Sequence, residues 1–161
     1  MRTAVLDEAG LVRWGRALGE TAARETVFVA LLGPLGAGKT RLAQAACSGA
    51  GVRDPVTSPT YTLVHWYEGD RGSVAHADLY RIRDASELPG LGWEELESHP
   101  GAVFVEWAER AGGELPPDRW EVRLEFAAGG ALRNVTARAL GDAPPIPDPA
   151  LHAGATRAPS C

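Results

Sequence analysis

The stretch from Gly33 to Thr40, Gly-Pro-Leu-Gly-Ala-Gly-Lys-Thr, constrains the fold of this chain more than any other. It matches the phosphate-loop pattern G-x-x-x-x-G-K-[ST] at every fixed position. The apolar run 26–32 before it contains β-branched residues and predicts a strand buried on both faces. The run 41–48 after it is rich in helix-forming residues. Strand, glycine loop and helix in this order predict a nucleotide-binding loop.

The residues of the loop suit the chemistry of phosphate binding. Gly33, Gly36 and Gly38 let the backbone adopt positive φ and approach a ligand closely. The loop amides can then converge on an anion, to which the following helix presents its positive end. We expect Lys39 to place its charge between the β- and γ-phosphates and Thr40 to offer its hydroxyl to Mg²⁺. A plain glycine turn is the alternative, but it does not explain a Lys-Thr pair directly after the last glycine.

Length and composition bound the class of protein. A chain of 161 residues favours one domain with a sizeable core. The formal net charge of −5 argues against a protein whose own surface grips nucleic acid through its phosphates. The N-terminus lacks the apolar core of a signal peptide, and no apolar run is long enough to span a membrane. We therefore expect a cytoplasmic protein that does not bind a membrane.

The order of the predicted elements indicates an α/β fold. Two strand pairs flank turn signals and predict hairpins, one over residues 61–80 and one over residues 118–138. The clean alternation of the run 118–126 predicts a half-buried antiparallel strand. Together with the buried strands 26–32 and 101–106, these hairpins predict a mixed sheet like that of P-loop NTPases. It would have a parallel core and antiparallel hairpins, would be flanked by helices, and would carry the site at the carboxyl ends of the parallel strands.

A change in composition near Gly141 suggests a boundary. We predict a P-loop ATPase domain over residues 1–140. The segment 141–161 contains five prolines and little apolar bulk, which favours a disordered tail.

Two acidic residues end predicted strands. Asp78 lies near the end of the run 73–80, and Glu106 ends the apolar run 101–106. In phosphate-loop enzymes an acid at the end of a buried strand commonly meets Mg²⁺ or its bound water. The alternatives are a carboxylate that caps the next turn at Asp78 and a solvated residue at a helix start at Glu106. Trp107 follows directly, and its ring would either wall the site or pack in the core.

The loop 52–60 is a candidate switch segment. Its prolines forbid a helix, and its hydroxyl residues include Ser58 and Thr60. One of these hydroxyls could sense the γ-phosphate through Mg²⁺ or water. Spacing alone favours a plain surface loop.

Several motifs then occur in one order and identify a resemblance. They are Gly33 to Thr40, Ser58-Pro-Thr-Tyr-Thr-Leu63, His76-Ala-Asp-Leu-Tyr-Arg81, Leu91-Gly-Trp-Glu-Glu95 and Val105-Glu-Trp107. With these motifs, over roughly residues 5–140, the chain resembles the TsaE (YjeE) family, small bacterial ATPases of tRNA threonylcarbamoyladenosine synthesis. It departs from the family pattern at Pro34, Arg41 and Ala108, where Asp, Thr and Pro are usual.

The resemblance implies a site for ATP and Mg²⁺. Its nucleotide-binding residues would be Gly33, Leu35, Gly36, Ala37, Gly38, Lys39, Thr40 and Trp107. Thr40, Asp78 and Glu106 would act on Mg²⁺, and the two acids would also lie on the side of the attacking water. Lys39 and Thr60, the latter in a switch-like loop, would complete the catalytic set.

The resemblance also implies partners. They would be homologues of TsaD and TsaB, of which TsaD transfers threonylcarbamoyl to adenosine 37 of tRNA. The chain would hydrolyse ATP while bound, reset the complex between turnovers, and meet tRNA only indirectly through that complex.

Two other functions stay open at this stage. One is a nucleotide-dependent binding module in which hydrolysis is incidental. The other is a small-molecule P-loop kinase, which would need an arginine-rich lid and an acceptor pocket. The sequence contains no guanine-reading Asn-Lys-x-Asp motif and no clear adenine-reading motif, so it does not separate ATP from GTP.

Overall fold

The structure, a computed structural model, describes residues 1–57 and 63–154. The predicted switch residues Ser58 and Thr60 lie outside the described residues. Seven strands form one sheet: β1 Arg2–Leu6, β2 Val27–Leu32, β3 Val64–Gly69, β4 Gly72–Asp78, β5 Ala102–Glu106, β6 Arg119–Phe126 and β7 Arg133–Leu140. The α-helices of the described part are α1 Glu8–Ala22, α2 Lys39–Gly49 and α3 Trp93–Glu97. Its 3₁₀ helices are Ala85–Leu91, Ala108–Glu114 and Pro149–His152.

The sheet has the mixed topology that the sequence predicts. Its strand order is β1-β7-β6-β2-β5-β4-β3. The strand β2 runs parallel to both β5 and β6, and β4 runs parallel to β5. The pairs β3–β4 and β6–β7 are antiparallel hairpins. The carboxyl ends of β2, β4 and β5 therefore meet at one edge of the sheet, where a site is expected in an open α/β fold.

The strands β6 and β1 differ from expectation. The strand β6, expected to be antiparallel, is antiparallel only to β7, because it runs parallel to β2 on its other side. Alternation reports that one face of a strand is buried, not the direction of its neighbours. The edge strand β1 was not predicted. It is only five residues long and pairs antiparallel with β7.

Helices cover both faces of the sheet. All six residues of β2 are buried, and they alternate between two apolar clusters, as expected for a strand buried on both faces. One cluster lies under α1 and α2 and contains Trp14, Leu42 and Phe104. The other lies under α3 and the neighbouring 3₁₀ helices and contains Trp93. The sheet thus separates two cores.

The helix α1 packs unusually close to α2. The carboxylate of Asp7 accepts a 2.7 Å hydrogen bond from the Gly10 amide and caps α1. Gly19 faces the backbone of α2, where a Cβ would lie 1.8 Å from the Ala46 carbonyl oxygen. Only glycine fits at such a distance, so this residue sets the separation of the two helices.

The prediction of a disordered tail is wrong for residues 141–154. Ile146 is buried in the core cluster under α1 and α2. The carbonyl oxygens of Pro144 and Pro147 accept hydrogen bonds from the indole nitrogens of Trp120 and Trp14, at 2.7 and 3.0 Å. The physical reason is that buried indole N–H groups need acceptors, which backbone carbonyls supply whatever the side chains. Residues 155–161 lie outside the described residues.

Candidate functional site

The phosphate loop has the backbone that its glycines predict. Gly33, Gly36 and Gly38 have φ of 128°, 76° and 107°. At Gly33 a Cβ would also lie 2.0 Å from the carbonyl oxygen of Leu124, so glycine is required there on two grounds. Gly38 is the N-cap of α2 and, among the described residues, receives no side-chain cap. The first amides of α2, which have no acceptor within the helix, are therefore oriented for an anion.

Lys39 is held back against the loop. Its Nζ donates hydrogen bonds to the carbonyl oxygens of Gly33 at 2.7 Å and Pro34 at 2.9 Å. The same nitrogen lies 3.8 Å from the ring centroid of Trp107. Burial lowers the pKa of Lys39 below its ordinary value, while the negative charges of nearby acids, first among them Glu106, act in the opposite direction. A phosphate group would offer Lys39 a negatively charged acceptor in place of these neutral carbonyl oxygens.

A chain of hydrogen bonds joins the loop to the sheet. The Thr40 hydroxyl, in the first turn of α2, donates to Oε2 of Glu106 at 2.7 Å. The other carboxylate oxygen, Oε1, lies 2.8 Å from Nε2 of His76 in β4. The side chains of Glu106 and His76 are 2% and 0% exposed. The Glu106 carboxylate at the end of β5 is thus held on one side by the Thr40 hydroxyl and on the other by the His76 ring.

Asp78 lies beside Glu106 on the neighbouring strand. The two residues are partners in the parallel register of β4 and β5. The Asp78 carboxylate accepts a 2.9 Å hydrogen bond from the Tyr80 amide. The strand-end alternative, a carboxylate that caps the following turn, therefore also holds for Asp78. Both predicted acids lie at one edge of the sheet.

Aromatic and basic side chains wall this region. Trp107 has φ of 56°, a left-handed conformation that is uncommon outside glycine. Its ring lies 5.0 Å from that of Tyr80, centroid to centroid. The guanidinium of Arg110 lies over the Tyr80 and Trp107 rings at 5.4 and 5.9 Å and donates to the Ile82 carbonyl oxygen at 2.5 Å. Trp107 therefore lies beside Lys39 at the phosphate loop and is partly buried against the apolar cluster under α3.

Two cavities meet at the phosphate loop. The first has a volume of about 440 Å³, and its lining residues are Leu35, Gly36, Gly38, Lys39, Thr40, Arg41, Gln44, Asp78, Tyr80, Glu106 and Trp107. The second has a volume of about 470 Å³, and its lining residues are Glu8, Leu11, Gly36, Ala37, Gly38, Arg41, Gly130, Ala131 and Arg133. Every predicted site residue among the described residues lines one of them except Gly33, whose carbonyl oxygen holds Lys39.

The sequence-based predictions assigned no role in the site to Arg133 and His76, and both lie next to it in the structure. Arg133 donates to the Ala37 carbonyl oxygen at 3.0 Å and stacks on Phe126 at 4.4 Å, so it braces the loop from the second cavity. His76 stands in a motif but had received no role. The available signal was its spacing, because residues two apart in a strand face the same side, and Asp78 follows His76 by two.

The donor set fits a hard divalent cation. The oxygen-bearing side chains of Thr40, Asp78 and Glu106 line the first cavity. Mg²⁺ prefers oxygen ligands and is commonly bound by one or two carboxylates together with substrate phosphates. The described residues contain no cluster of three or more His, Cys, Asp or Glu side chains placed to hold a metal ion alone. The residues present thus fit a cation that enters with a nucleotide.

No helix of the described part of the chain is long and apolar enough to cross a membrane.

Comparison with known proteins places the chain among relatives. The model of the family described as threonylcarbamoyl adenosine biosynthesis protein TsaE matches residues 5–134. A relative from Nostoc sp., named tRNA threonylcarbamoyladenosine biosynthesis protein TsaE, is 39% identical over 107 residues, which are 65% of this chain and 65% of that protein. A protein of the same name from Treponema pallidum is 35% identical over 118 residues, 73% of this chain and 86% of the relative.

A solved structure shares the fold. The crystal structure of YdiB from Bacillus subtilis aligns with a TM-score of 0.67 at 25% identity, and the alignment covers 88% of each chain. The predicted sheet with its parallel core is therefore confirmed both by the strand order and by this likeness.

Proposed function

The chain belongs to the TsaE family of threonylcarbamoyl adenosine biosynthesis, and from this premise we propose that it binds and hydrolyses ATP with Mg²⁺. The hydrolysis would act on a complex of TsaD and TsaB homologues and support its repeated turnover, with tRNA met only through that complex. The observation that carries the proposal is the 2.7 Å hydrogen bond from Thr40 to Glu106. It ties the hydroxyl of the phosphate loop to a buried strand-end carboxylate.

The loop residues would bind the phosphates. The first amides of α2 converge at Gly38, and Lys39 already holds its ammonium group at the loop. Its present acceptors are neutral carbonyl oxygens, so a phosphate oxygen would attract it more strongly. Trp107 covers the same nitrogen from one side and would exclude water there.

Thr40 and Glu106 would hold the metal ion. When bound, Mg²⁺ would neutralise charge on the phosphates as the bond to the leaving group breaks. Because the Thr40 proton is directed to Glu106, the lone pairs of its Oγ1 remain for a cation. Both acids line the first cavity, but Glu106 already accepts the Thr40 hydroxyl, and we therefore assign Asp78 to the side of the attacking water.

The second cavity would take the nucleoside. It adjoins the loop on the side away from Asp78 and Glu106, and Leu11 and Ala131 give it apolar surface. Arg133 stands at its border, fixed to the Ala37 carbonyl oxygen. The choice of adenine rests on the family and not on a base-reading motif.

One observation favours a second candidate, the nucleotide-dependent binding module. Leu35 at the tip of the loop is 72% exposed, and Tyr80 beside the first cavity is 48% exposed. Apolar and aromatic side chains exposed at the mouth of a site are typical of a surface that meets a partner. In this candidate, ATP would tighten that contact and hydrolysis would be incidental.

The experiment is phosphate release from ATP and Mg²⁺ by the purified chain, alone and with the TsaD–TsaB pair from the same genome. Lys39→Ala serves as the inactive control. We expect slow release by the chain alone, faster release with the pair, and none above background with Lys39→Ala. ATP binding without release in either condition would favour the binding module and contradict the ATPase.

A further inference from the structure

We propose that His76 is a positioning residue that holds the Glu106 carboxylate in the orientation that receives the Thr40 hydroxyl. The proposal rests on the proposed function, because it gives Glu106 and Thr40 a shared task at the metal ion. His76 would act only through Glu106 and would not touch the nucleotide.

Each of the two carboxylate oxygens of Glu106 has its own hydrogen-bond partner. Nε2 of His76 lies 2.8 Å from Oε1, and the Thr40 hydroxyl donates to Oε2 at 2.7 Å. A carboxylate with a partner on each oxygen cannot rotate without losing one of them. The three residues come from β4, β5 and α2, so the contact also ties the loop helix to two central strands.

The burial of His76 indicates that its hydrogen bond to Glu106 is its main role. Its imidazole is fully buried, within a strand whose neighbouring residues Ala75 and Ala77 are apolar and buried. Its other nitrogen, Nδ1, has no hydrogen-bond partner within the described part of the chain. A buried polar atom without a partner is unfavourable, and an apolar side chain would avoid it. The hydrogen bond from Nε2 to Glu106 offsets the cost of this unpartnered Nδ1.

We expect that replacing His76 weakens the binding of Mg²⁺ and leaves the binding of ATP alone unchanged. Partners that orient a metal ligand typically cost about 10–100-fold in metal affinity or activity when they are removed. Lys39 and the loop amides do not contact His76, so ATP binding without Mg²⁺ should not depend on it. A merely structural role would weaken both kinds of binding together.

Two amide substitutions separate the two ring nitrogens. The amide nitrogen of His76→Gln stands about as far along the side chain as Nε2 and can donate to Glu106. The amide of His76→Asn stands at the level of Nδ1, where the ring has no partner. Both substitutes are polar and of similar size, so they form a matched pair.

The measurement is ATP affinity by calorimetry in EDTA and across a Mg²⁺ titration, with kcat and KM for hydrolysis alongside. In His76→Asn we expect the Mg²⁺ concentration that gives half of the maximal change in ATP affinity to rise about tenfold or more. The kcat for hydrolysis should fall by a similar factor. In His76→Gln both should stay within about threefold of the native chain, and ATP affinity in EDTA should be unchanged in both variants.

Three results would overturn the proposal. They are a native Mg²⁺ response in His76→Asn, an equal loss in both variants, and an equal loss in EDTA. If His76→Asn does not fold in a thermal unfolding test, His76→Leu takes its place with the same expected and contrary results. The native chain reports separately on the proposed function, because a native chain that binds ATP without responding to Mg²⁺ contradicts the metal site whatever the variants do.

Discussion

Thr40 and Glu106 are 66 positions apart in the chain, yet the hydroxyl of one donates a 2.7 Å hydrogen bond to the carboxylate of the other. The contact requires α2 to begin where β5 ends. That placement follows from the parallel pairing of β2 with β5, since α2 begins after the loop that leaves β2. The relationship therefore links the loop sequence to the sheet topology, and it is the contact on which the proposed hydrolysis depends.

Glu106→Ala should abolish hydrolysis. Removing the carboxylate leaves Thr40 without its acceptor and deprives the proposed metal site of its buried negative charge. We expect kcat to fall at least about 100-fold, as for other losses of charge stabilisation at a reacting centre. Phosphate release in the presence of the TsaD–TsaB pair is the measurement. Glu25→Ala is the matched control and should retain activity, because Glu25 is exposed and precedes β2, at the opposite end of that strand from the phosphate loop. Partner-stimulated hydrolysis by Glu106→Ala would contradict the assignment of Glu106 to the site.

Gly19→Ala should destabilise the fold. A Cβ at this position would lie 1.8 Å from the Ala46 carbonyl oxygen, so α1 must move away from α2. We expect a loss of about 1–3 kcal/mol in the free energy of unfolding, the usual range for overpacking. Urea denaturation followed by circular dichroism measures it. At Gly90 a Cβ would meet nothing within 4 Å, so Gly90→Ala is the control. Equal effects at both positions would show that close packing is not the cause.

Ile146→Ala tests whether the segment after β7 contributes to stability. The Ile146 side chain is buried in the cluster under α1 and α2. A buried isoleucine cut to alanine typically costs about 2–5 kcal/mol of unfolding free energy. The midpoint of thermal unfolding should fall accordingly. Leu151→Ala changes a side chain that is 81% exposed and should leave the midpoint unchanged. A native midpoint in Ile146→Ala would mean that this segment does not pack in solution.

Cys47 gives a prediction for pH. Burial raises the pKa of its thiol from 9.0 to about 12. Because the folded pKa lies above the unfolded one, the thiol's contribution is complete below the unfolded value and is lost as pH rises toward the folded value. As the pH rises from 9.0 to about 12, the free energy of unfolding of the native chain should therefore fall relative to that of Cys47→Ala. Urea denaturation under reducing conditions, at pH about 8 and at pH about 10.5, measures the difference. A difference that does not change with pH would contradict a buried thiol.

Sequence alone predicted the parts of the fold that depend on local signals. The phosphate loop and the doubly buried strand β2 each follow from neighbouring residues, and the structure contains both. The pairing of β6 with β2 could not be predicted in this way. Alternating burial is the same whether a neighbouring strand runs parallel or antiparallel.

The contributors that sequence reasoning missed are all non-local. His76 acquires a role only because β4 and β5 lie side by side, which places it 30 positions from its partner Glu106. The segment after β7 is held by indole groups, and Trp14 is 133 positions away from the carbonyl that it contacts. Composition predicted disorder there because prolines make no regular elements, but a backbone carbonyl accepts a hydrogen bond in any sequence.

The contact between the first strand and the segment after β7 bears on how the chain can be re-engineered. Arg2 donates to the carbonyl oxygen of Ile146, so the described chain begins and ends at the same edge of the sheet. Chains whose two ends lie close together commonly tolerate circular permutation. The exposed pair Gly112-Gly113, where Gly112 has positive φ and an added Cβ at either residue would meet nothing within 4 Å, offers the new opening. A short linker could join residue 154 to Met1, and the phosphate loop, His76 and Glu106 would keep their order in one uninterrupted stretch.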